Sequence, residues 1–306
     1  MLIYLNGAFL PRAEARISIE DRGFIFGDGV YEVWRLIGGN AFEPEQHLAR
    51  LERGLREIEI ALPDDLRAPR LWNIAQRLLA DNDLTSGEAT LYVEVTRGAA
   101  PRTHYYPPTG TPATVYVAAA RFRPPESLRR SGAAAITQPD IRWLRCDLKT
   151  IQLLPNVMGK QRAVASGAID AIFVRDGIVT EGTHTSVFGV IDGVLRTHPA
   201  DNHVLPGVTR AVLLQIASEL GIARDETPMS LSELFAASEL FLAGTTSDVL
   251  PIIKVDDRVI GTGAPGPVAD QLFQGLRARM DAVAARSVSG HLQREREGKP
   301  ARVAVD

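Results

Sequence analysis

Apolar positions in the first twenty residues alternate around Asn6-Gly7, a dipeptide suited to a tight turn, and predict a short hairpin. Leu48, Leu51, Leu55 and Ile58 then recur on one helical face and predict a helix over 44–60, with Pro44 as its first residue. A second helix is expected over 70–80. ATLYVEVTRG (89–98) and ATVYVAAARF (113–122) carry the alternation and β-branched content of strands. RFRPPESLRR (121–130) breaks the pattern with two prolines and several charges. Beyond it the spacing predicts a strand near 133–137 and a helix over 157–167. Two hairpins follow, turning at Asp176-Gly177 and Asp192-Gly193. A helix over 208–220 is stopped by Gly221. ELFLAGTTSD (239–248) reads as a strand entering a small-residue loop, and 267–286 as a closing amphipathic helix.

The chain accordingly divides into an N-terminal α/β domain (1–120), a linker (121–126), a C-terminal domain (127–285) and a mobile tail (286–306) of low apolar content. Hairpins and helices intermixed in both halves imply an α+β, or mixed α/β, protein. A doubly wound parallel sheet is not expected, since the Gly-x-Gly-x-x-Gly and P-loop patterns are absent and no internal repeat is found.

Composition narrows the partners. With 45% apolar and 23% charged residues, a net charge of −3 and no basic stripe, the 306-residue chain reads as a globular protein without a nucleic-acid partner. No apolar run is long enough to span a membrane, and MLIYLNGAFLPR lacks the features of a signal peptide. Cys146 is the single cysteine, so no internal disulfide forms and a cytoplasmic location is expected.

Charge usage also points to chemistry. Only Lys149, Lys160, Lys254 and Lys299 accompany thirty arginines. A lysine amine, unlike a guanidinium, can lose its proton when desolvated and attack a carbonyl. Lys149 lies between apolar stretches in WLRCDLKTIQLLP, which favours partial burial, whereas Lys160 stands in a helical stretch beside Gln161 and Arg162 and reads as solvated. A pyridoxal-phosphate enzyme would also need a carboxylate for the ring nitrogen and an anion cup. Glu181 ends a strand, and is either that carboxylate or an exposed strand-end acid. LPGVTR (205–210) offers an anion cup, or ordinary capping by Thr209. GTTSD (244–248) offers hydroxyls, or only a turn.

Six segments in order carry a family resemblance: EDRGFIFGDGVYEV (20–33), TRGAAPRTHYYP (96–107), DIRWLRCDLK (140–149), VTEG (179–182), RTHPADNHVLPGVTR (196–210) and GTTSD (244–248). The chain resembles the class IV aminotransferases, the fold type IV pyridoxal-phosphate enzymes, and among them the D-amino-acid aminotransferases. The resemblance implies a smaller N-terminal α/β domain and a larger, barrel-like C-terminal domain. It also implies pyridoxal 5'-phosphate as cofactor and ping-pong transfer between a D-amino acid and a 2-oxo acid such as 2-oxoglutarate or pyruvate.

Carried over by position, it implies that Lys149 forms the internal aldimine and then shuttles a proton. Glu181 would pair with the pyridine nitrogen. Arg50, Val208, Thr209 and Thr245 would bind the phosphate, and Leu205 would pack beneath the ring. Tyr31, Arg102 and His104 would form a trap for the substrate carboxylate, the latter two reaching in from the partner of a homodimer. An Arg-x-His pair suits that grip because the guanidinium is forked and permanently charged. An (R)-amine transaminase is the nearest rival, followed by a branched-chain aminotransferase. A binding protein that has lost its chemistry is the non-enzyme reading.

Three positions are in tension with this scheme. Counted from Leu48, Arg50 points away from the leucine stripe and toward solvent, whereas the resemblance turns it to the cofactor. Ser186 stands where the family usually has Asn, and its single hydroxyl replaces an amide that offers an acceptor and two donors. His184, in the same loop, is either a local specificity feature or a solvated loop residue, and exposure statistics favour the solvated reading.

Overall fold

The computed structural model describes residues 1–297. Its chain builds two sheets with helices packed against them. The first has six strands in the order Ala8–Pro11, Leu2–Leu5, Thr114–Arg121, Glu88–Thr96, Gly29–Ile37 and Asn40–Ala41, every pair antiparallel. The helices Pro44–Glu57 and Arg70–Asp81 cover one face, and Trp34, Leu51, Leu55, Leu71, Leu78 and Leu91 form the core between them.

The second sheet is mixed and has nine strands. Its path runs Arg224–Asp225, Val194–Thr197, Ser186–Ile191, Glu239–Gly244, Asp248–Val255, Ala133–Pro139, Asp170–Arg175 and Ile178–Gly182, with Arg258–Val259 paired to Asp248–Val255. The helices Val208–Glu219 and Pro267–Glu297 pack on it through Leu213, Ile216, Leu272 and Leu276. This is the expected mixed α+β architecture.

Local turn chemistry explains the expected hairpins. Asp176 and Gly177 have φ of 51° and 79°, and Asp192 and Gly193 have 50° and 77°. Two consecutive positive φ values give the turn whose twist matches the flanking strands, and an Asp-Gly pair adopts them at least cost.

Two expectations are displaced. The helix expected over 157–167 runs Leu154–Ala165, because Pro155 sits in its first turn, where its fixed φ and missing N–H suit a helix start. The closing helix continues to Glu297, past the expected start of a mobile tail at 286. Its last turns, HLQRERE (291–297), consist largely of Leu, Gln, Arg and Glu, which favour helix by propensity. Residues 298–306 of the expected tail lie outside the described residues.

The strand Gly29–Ile37 positions the site. It is buried on both faces, so its sequence GVYEVWRLI shows no clean alternation. Val30, Trp34 and Leu36 join the core under the helices, while Tyr31 and Val33 line a cavity on the opposite face. Arg35, on the same face as Tyr31, reaches across to the second sheet and donates from Nη1 to the Thr245 carbonyl at 3.1 Å.

Candidate active site

A cavity of about 630 Å³ lies between the two sheets, and its lining brings together Tyr31, Arg50, Lys149, Glu181, Leu205, Val208, Thr209 and Thr245. Every site residue expected from the sequence is there except Arg102 and His104.

Lys149 is held by its backbone. Its carbonyl accepts from the Tyr31 N–H at 3.0 Å, and the Ile151 N–H donates to the Gly29 carbonyl at 3.1 Å. A side chain at Gly29 would put its Cβ 2.5 Å from the Val95 carbonyl oxygen of the neighbouring strand and 3.1 Å from Ile151 Cδ1, so there is no room for one where the three segments meet. The result sets the Lys149 Nζ 4.1 Å from the centroid of the Tyr31 ring. Next to it, Asp147 accepts from both Arg53 and Arg145, which braces the segment. Cys146 also lines the cavity; burial pushes its thiol up to about 11, so it is inert at neutral pH.

Glu181 is buried and both of its oxygens are engaged. Oε1 accepts from Arg142 Nη1, and Oε2 accepts from the Leu205 N–H at 3.0 Å. Arg142 is in turn gripped by Asp140, through Nε at 2.9 Å and Nη2 at 2.8 Å. Burial pushes the Glu181 carboxyl above the ordinary carboxylate range, with Arg142 opposing. A poorly solvated, basic carboxylate is a strong partner for an N–H that arrives in the cavity. The reading of Glu181 as an exposed strand-end acid is therefore excluded. Arg142 was not anticipated; its partner Glu181 is 39 residues away and nothing local in RWLRC signals it.

The helix Val208–Glu219 begins at the cavity. Its N-cap is Gly207, and no side chain caps it. Thr209 is therefore not the capping residue: it lies inside the first turn, buried, with its hydroxyl and the first-turn amides available to an anion.

Arg50 stands beside this helix start and donates from Nη1 to the Pro206 carbonyl at 3.0 Å. Its other donors go to Glu32, with Nε at 2.8 Å and Nη2 at 2.7 Å, and Glu32 also contacts His47 Nδ1 at 2.9 Å. Glu32 is fully buried, and although burial raises its pKa, Arg50 and His47 hold the carboxyl far below the usual range. The solvent-facing orientation expected from the leucine stripe is thus wrong. His47 and Gly54, one turn to either side of Arg50, are buried too, so the inward face is wider than the leucines mark.

The cavity loop at Thr245 is tied down by Arg35, which also binds Glu88 and lies 3.7 Å from Asp248. Neither Arg35 nor Glu32 was anticipated, and their partners come from distant segments.

Arg102 and His104 are exposed and lie beside Phe26, at 5.3 Å and 5.9 Å from its ring, outside the cavity. Ser186 is buried and lines the cavity; its Oγ would lie 3.0 Å from a Cβ at Gly207. His184 lines the cavity as well. Lys160 is not the solvated residue expected: its Nζ donates to the Ile169 carbonyl and lies 3.8 Å from the buried Asp170. Lys160 is absent from the cavity lining, so Lys149 is the lysine the fold offers to a ligand there.

The lining thus supplies a primary amine, a basic carboxylate, hydroxyls and an uncapped helix start. A phosphorylated pyridine aldehyde needs those four features and would fit.

Comparison with known proteins agrees with this chemistry. The amino-transferase class IV family model matches residues 29–255. The chain is 40% identical over 290 residues to the D-alanine aminotransferase of Bacillus licheniformis, covering 94% of this chain and 100% of that protein. It is 39% identical to the D-alanine aminotransferase of Staphylococcus epidermidis, covering 90% and 96%. Among solved structures, the branched-chain amino acid aminotransferase of Escherichia coli shares the fold with a TM-score of 0.82 at 24% identity, covering 90% of this chain and 93% of that one. A PLP-bound hypothetical aminotransferase from Mycobacterium tuberculosis gives a TM-score of 0.78 at 26% identity, covering 92% and 99%. A family model across most of the chain and relatives that span nearly all of it lead to one conclusion: this chain belongs to the class IV aminotransferases, pyridoxal-phosphate enzymes of fold type IV.

Proposed function

We propose that the enzyme exchanges amino groups between D-amino acids and 2-oxo acids, and that its active unit is a homodimer in the cytoplasm. The observation that carries the reading is the convergence of Lys149, Glu181, Thr209 and Thr245 on one cavity. Two D-alanine aminotransferases at 39–40% identity support the D-amino-acid class over the branched-chain enzymes, which share the fold at lower identity.

Pyridoxal phosphate, when bound, supplies an amino carrier and an electron sink. Lys149 would hold it through the amine, and the same amine would hold and move the proton at the substrate α-carbon. Glu181 holds the proton of the ring nitrogen, with Arg142 and the Leu205 N–H fixing its direction. Arg50, the Val208 amide, Thr209 and Thr245 would hold the phosphate, and Leu205 would supply an apolar wall for the ring. Tyr31 and the partner's Arg102 and the partner's His104 grip the substrate carboxylate. Exposure of Arg102 and His104 outside their own cavity favours use by a second copy. So does the apolar surface around that loop and the cavity mouth, where Phe24, Tyr105 and Leu154 are 71%, 74% and 69% exposed. Cys146 as the single cysteine supports a reducing compartment, and among the described residues no helix is long and apolar enough to cross a membrane.

The test pairs two variants with a panel of D-alanine, D-glutamate, L-leucine and (R)-1-phenylethylamine. Lys149→Ala should stay folded and lose transamination by at least about a hundredfold. Full activity there refutes the assignment. Arg102→Ala should raise KM for D-amino acids about tenfold or more, the worth of a hydrogen bond to a charged group, and leave the amine unaffected. Equal effects on both favour an (R)-amine transaminase. A purified protein that stays colourless with added pyridoxal phosphate favours a binding protein.

A further inference from the structure

The loop Gly182–Ser186 is organised by Asp170, a carboxylate only 2% exposed. Asp170 accepts from Thr183 Oγ1, from Thr185 Oγ1 at 3.0 Å and from the Ala171 N–H at 2.9 Å, with the Lys160 ammonium 3.8 Å away. This arrangement fixes the proton of the neighbouring imidazole. A threonine hydroxyl has one proton, and Thr183 gives its proton to Asp170. Toward His184 Nδ1, 3.1 Å away, Thr183 Oγ1 can then only accept. Nδ1 therefore carries the hydrogen, and in the neutral ring Nε2 carries a lone pair.

That lone pair lies on the ring edge opposite Thr183 and Asp170. The Nδ1 edge is turned toward Thr183 and, at 3.9 Å, toward Asp170, so the Nε2 edge is turned away from the protein interior. The side chain is 44% exposed and lines the cavity. Among the described residues Nε2 has no hydrogen-bond partner, since His184 bonds only through Nδ1. Burial, with Lys160 and Lys149 adding to it and Asp170 opposing, keeps the ring below the ordinary histidine pKa and so neutral near pH 7.

The other charged groups of the lining have partners or assigned roles. Arg50 serves Glu32 and is assigned to the phosphate, Arg142 serves Asp140 and Glu181, and Arg210 Nη2 serves Glu226 and the His198 carbonyl. Lys149 is assigned to the chemistry. His184, on the same lining, is left as a polar group with an open position.

We propose that His184 is a specificity-determining residue whose Nε2 accepts a hydrogen bond from the substrate side chain, favouring D-amino acids that carry a hydroxyl or amide donor over D-alanine. The inference rests on the D-amino-acid reading above and adds a residue and a substrate subclass to it. D-Serine, the smallest such donor, differs from D-alanine by one hydroxyl.

The experiment compares the wild-type holoenzyme with His184→Leu, which keeps bulk and loses the acceptor, and His184→Gln, which keeps an acceptor. In steady-state assays with a common 2-oxo acid, His184→Leu should lower the D-serine to D-alanine ratio of kcat/KM about fivefold, the size of one net neutral hydrogen bond, with D-alanine itself little changed. His184→Gln should retain most of the ratio. Calorimetric titration with 3-hydroxypropionate and propionate, which cannot be transaminated, should show the same loss of preference in His184→Leu. A ratio unchanged in His184→Leu, or equal losses for both amino acids, overturns the proposal. Should the wild type turn over neither D-alanine nor D-serine, the D-amino-acid reading fails, and the titration still decides: a hydroxyl preference absent from the wild type, or retained in His184→Leu, overturns the role of His184.

Discussion

Replacing Glu32 by Gln removes the counter-charge of Arg50 without changing the shape of the strand. Glu32 is fully buried, and its oxygens take two hydrogen bonds from Arg50, at 2.7 and 2.8 Å, and one contact from His47. The variant strands a buried guanidinium whose remaining partners are the Pro206 carbonyl and a neutral amide. Breaking one side of a buried ion pair costs about 3–5 kcal/mol, and the retained amide acceptor places the expected loss near the lower limit. At about 3 kcal/mol the thermal midpoint of the apoprotein should fall by roughly 5 °C for a chain of this length. Removing both charges, as in Glu32→Leu with Arg50→Met, should cost less than the two single changes added together, because neither charge is then left unpaired.

The pH dependence has a definite sign. The Glu32 carboxyl is held below its ordinary value of 4.5, so its stabilisation is present above pH 4.5 and is lost as pH falls through the folded value. The gap between wild type and variant should therefore be full at pH 7 and close in acid. Added pyridoxal phosphate supplies Arg50 with a new anion, so it should raise the midpoint of the variant more than that of the wild type. Thermal melts of both proteins from pH 7 to 3, with and without cofactor, read all of this. A gap below about 1 kcal/mol, or one that does not vary with pH, refutes the reasoning.

Two further outcomes are expected. Glu181→Gln should cost at least about a hundredfold in activity yet leave the apoprotein as stable or more stable above neutrality, because burial raises this carboxyl and a raised acid loses folding stability as pH rises through 4.5 toward its folded value; melts at pH 5 and 8 beside an activity assay check both halves, and a destabilisation that grows with pH contradicts it. Lys160→Met should lower stability by about 1 kcal/mol, discounted for a side chain that is 35% exposed, since it removes the cation nearest Asp170, and an unchanged melting curve would return Lys160 to the status of a solvated residue.

How far the sequence could be read depended on whether the physical cause was local. The Asp-Gly hairpins were legible because two adjacent residues must take positive φ, and that requirement is written in the dipeptide itself. Helix stripes were legible in outline, but Arg50 shows the limit. Leucines alone define too narrow a face when a buried histidine and a glycine share it. Gly54 contributes no apolar signal, yet it lets Val30 approach to 3.2 Å of where its Cβ would stand. The charged supports of the site were not legible at all. Glu32 meets Arg50 across 18 positions, Arg142 meets Glu181 across 39, and Arg35 meets Thr245 across 210. No propensity or period connects such residues, since each pair exists only after the sheets have met. The two lysines make the same point with opposite outcomes. Lys149 and Lys160 stand eleven positions apart with different sequence neighbours, yet both are drawn partly out of water. What separates them is the partner each finds: an aromatic face on the wall of a cavity for Lys149, a carbonyl and a buried carboxylate behind that wall for Lys160. An amine already engaged by a carbonyl and a counter-ion behind the wall is out of a ligand's reach, whereas one that stands beside open volume can meet a carbonyl that enters the cavity.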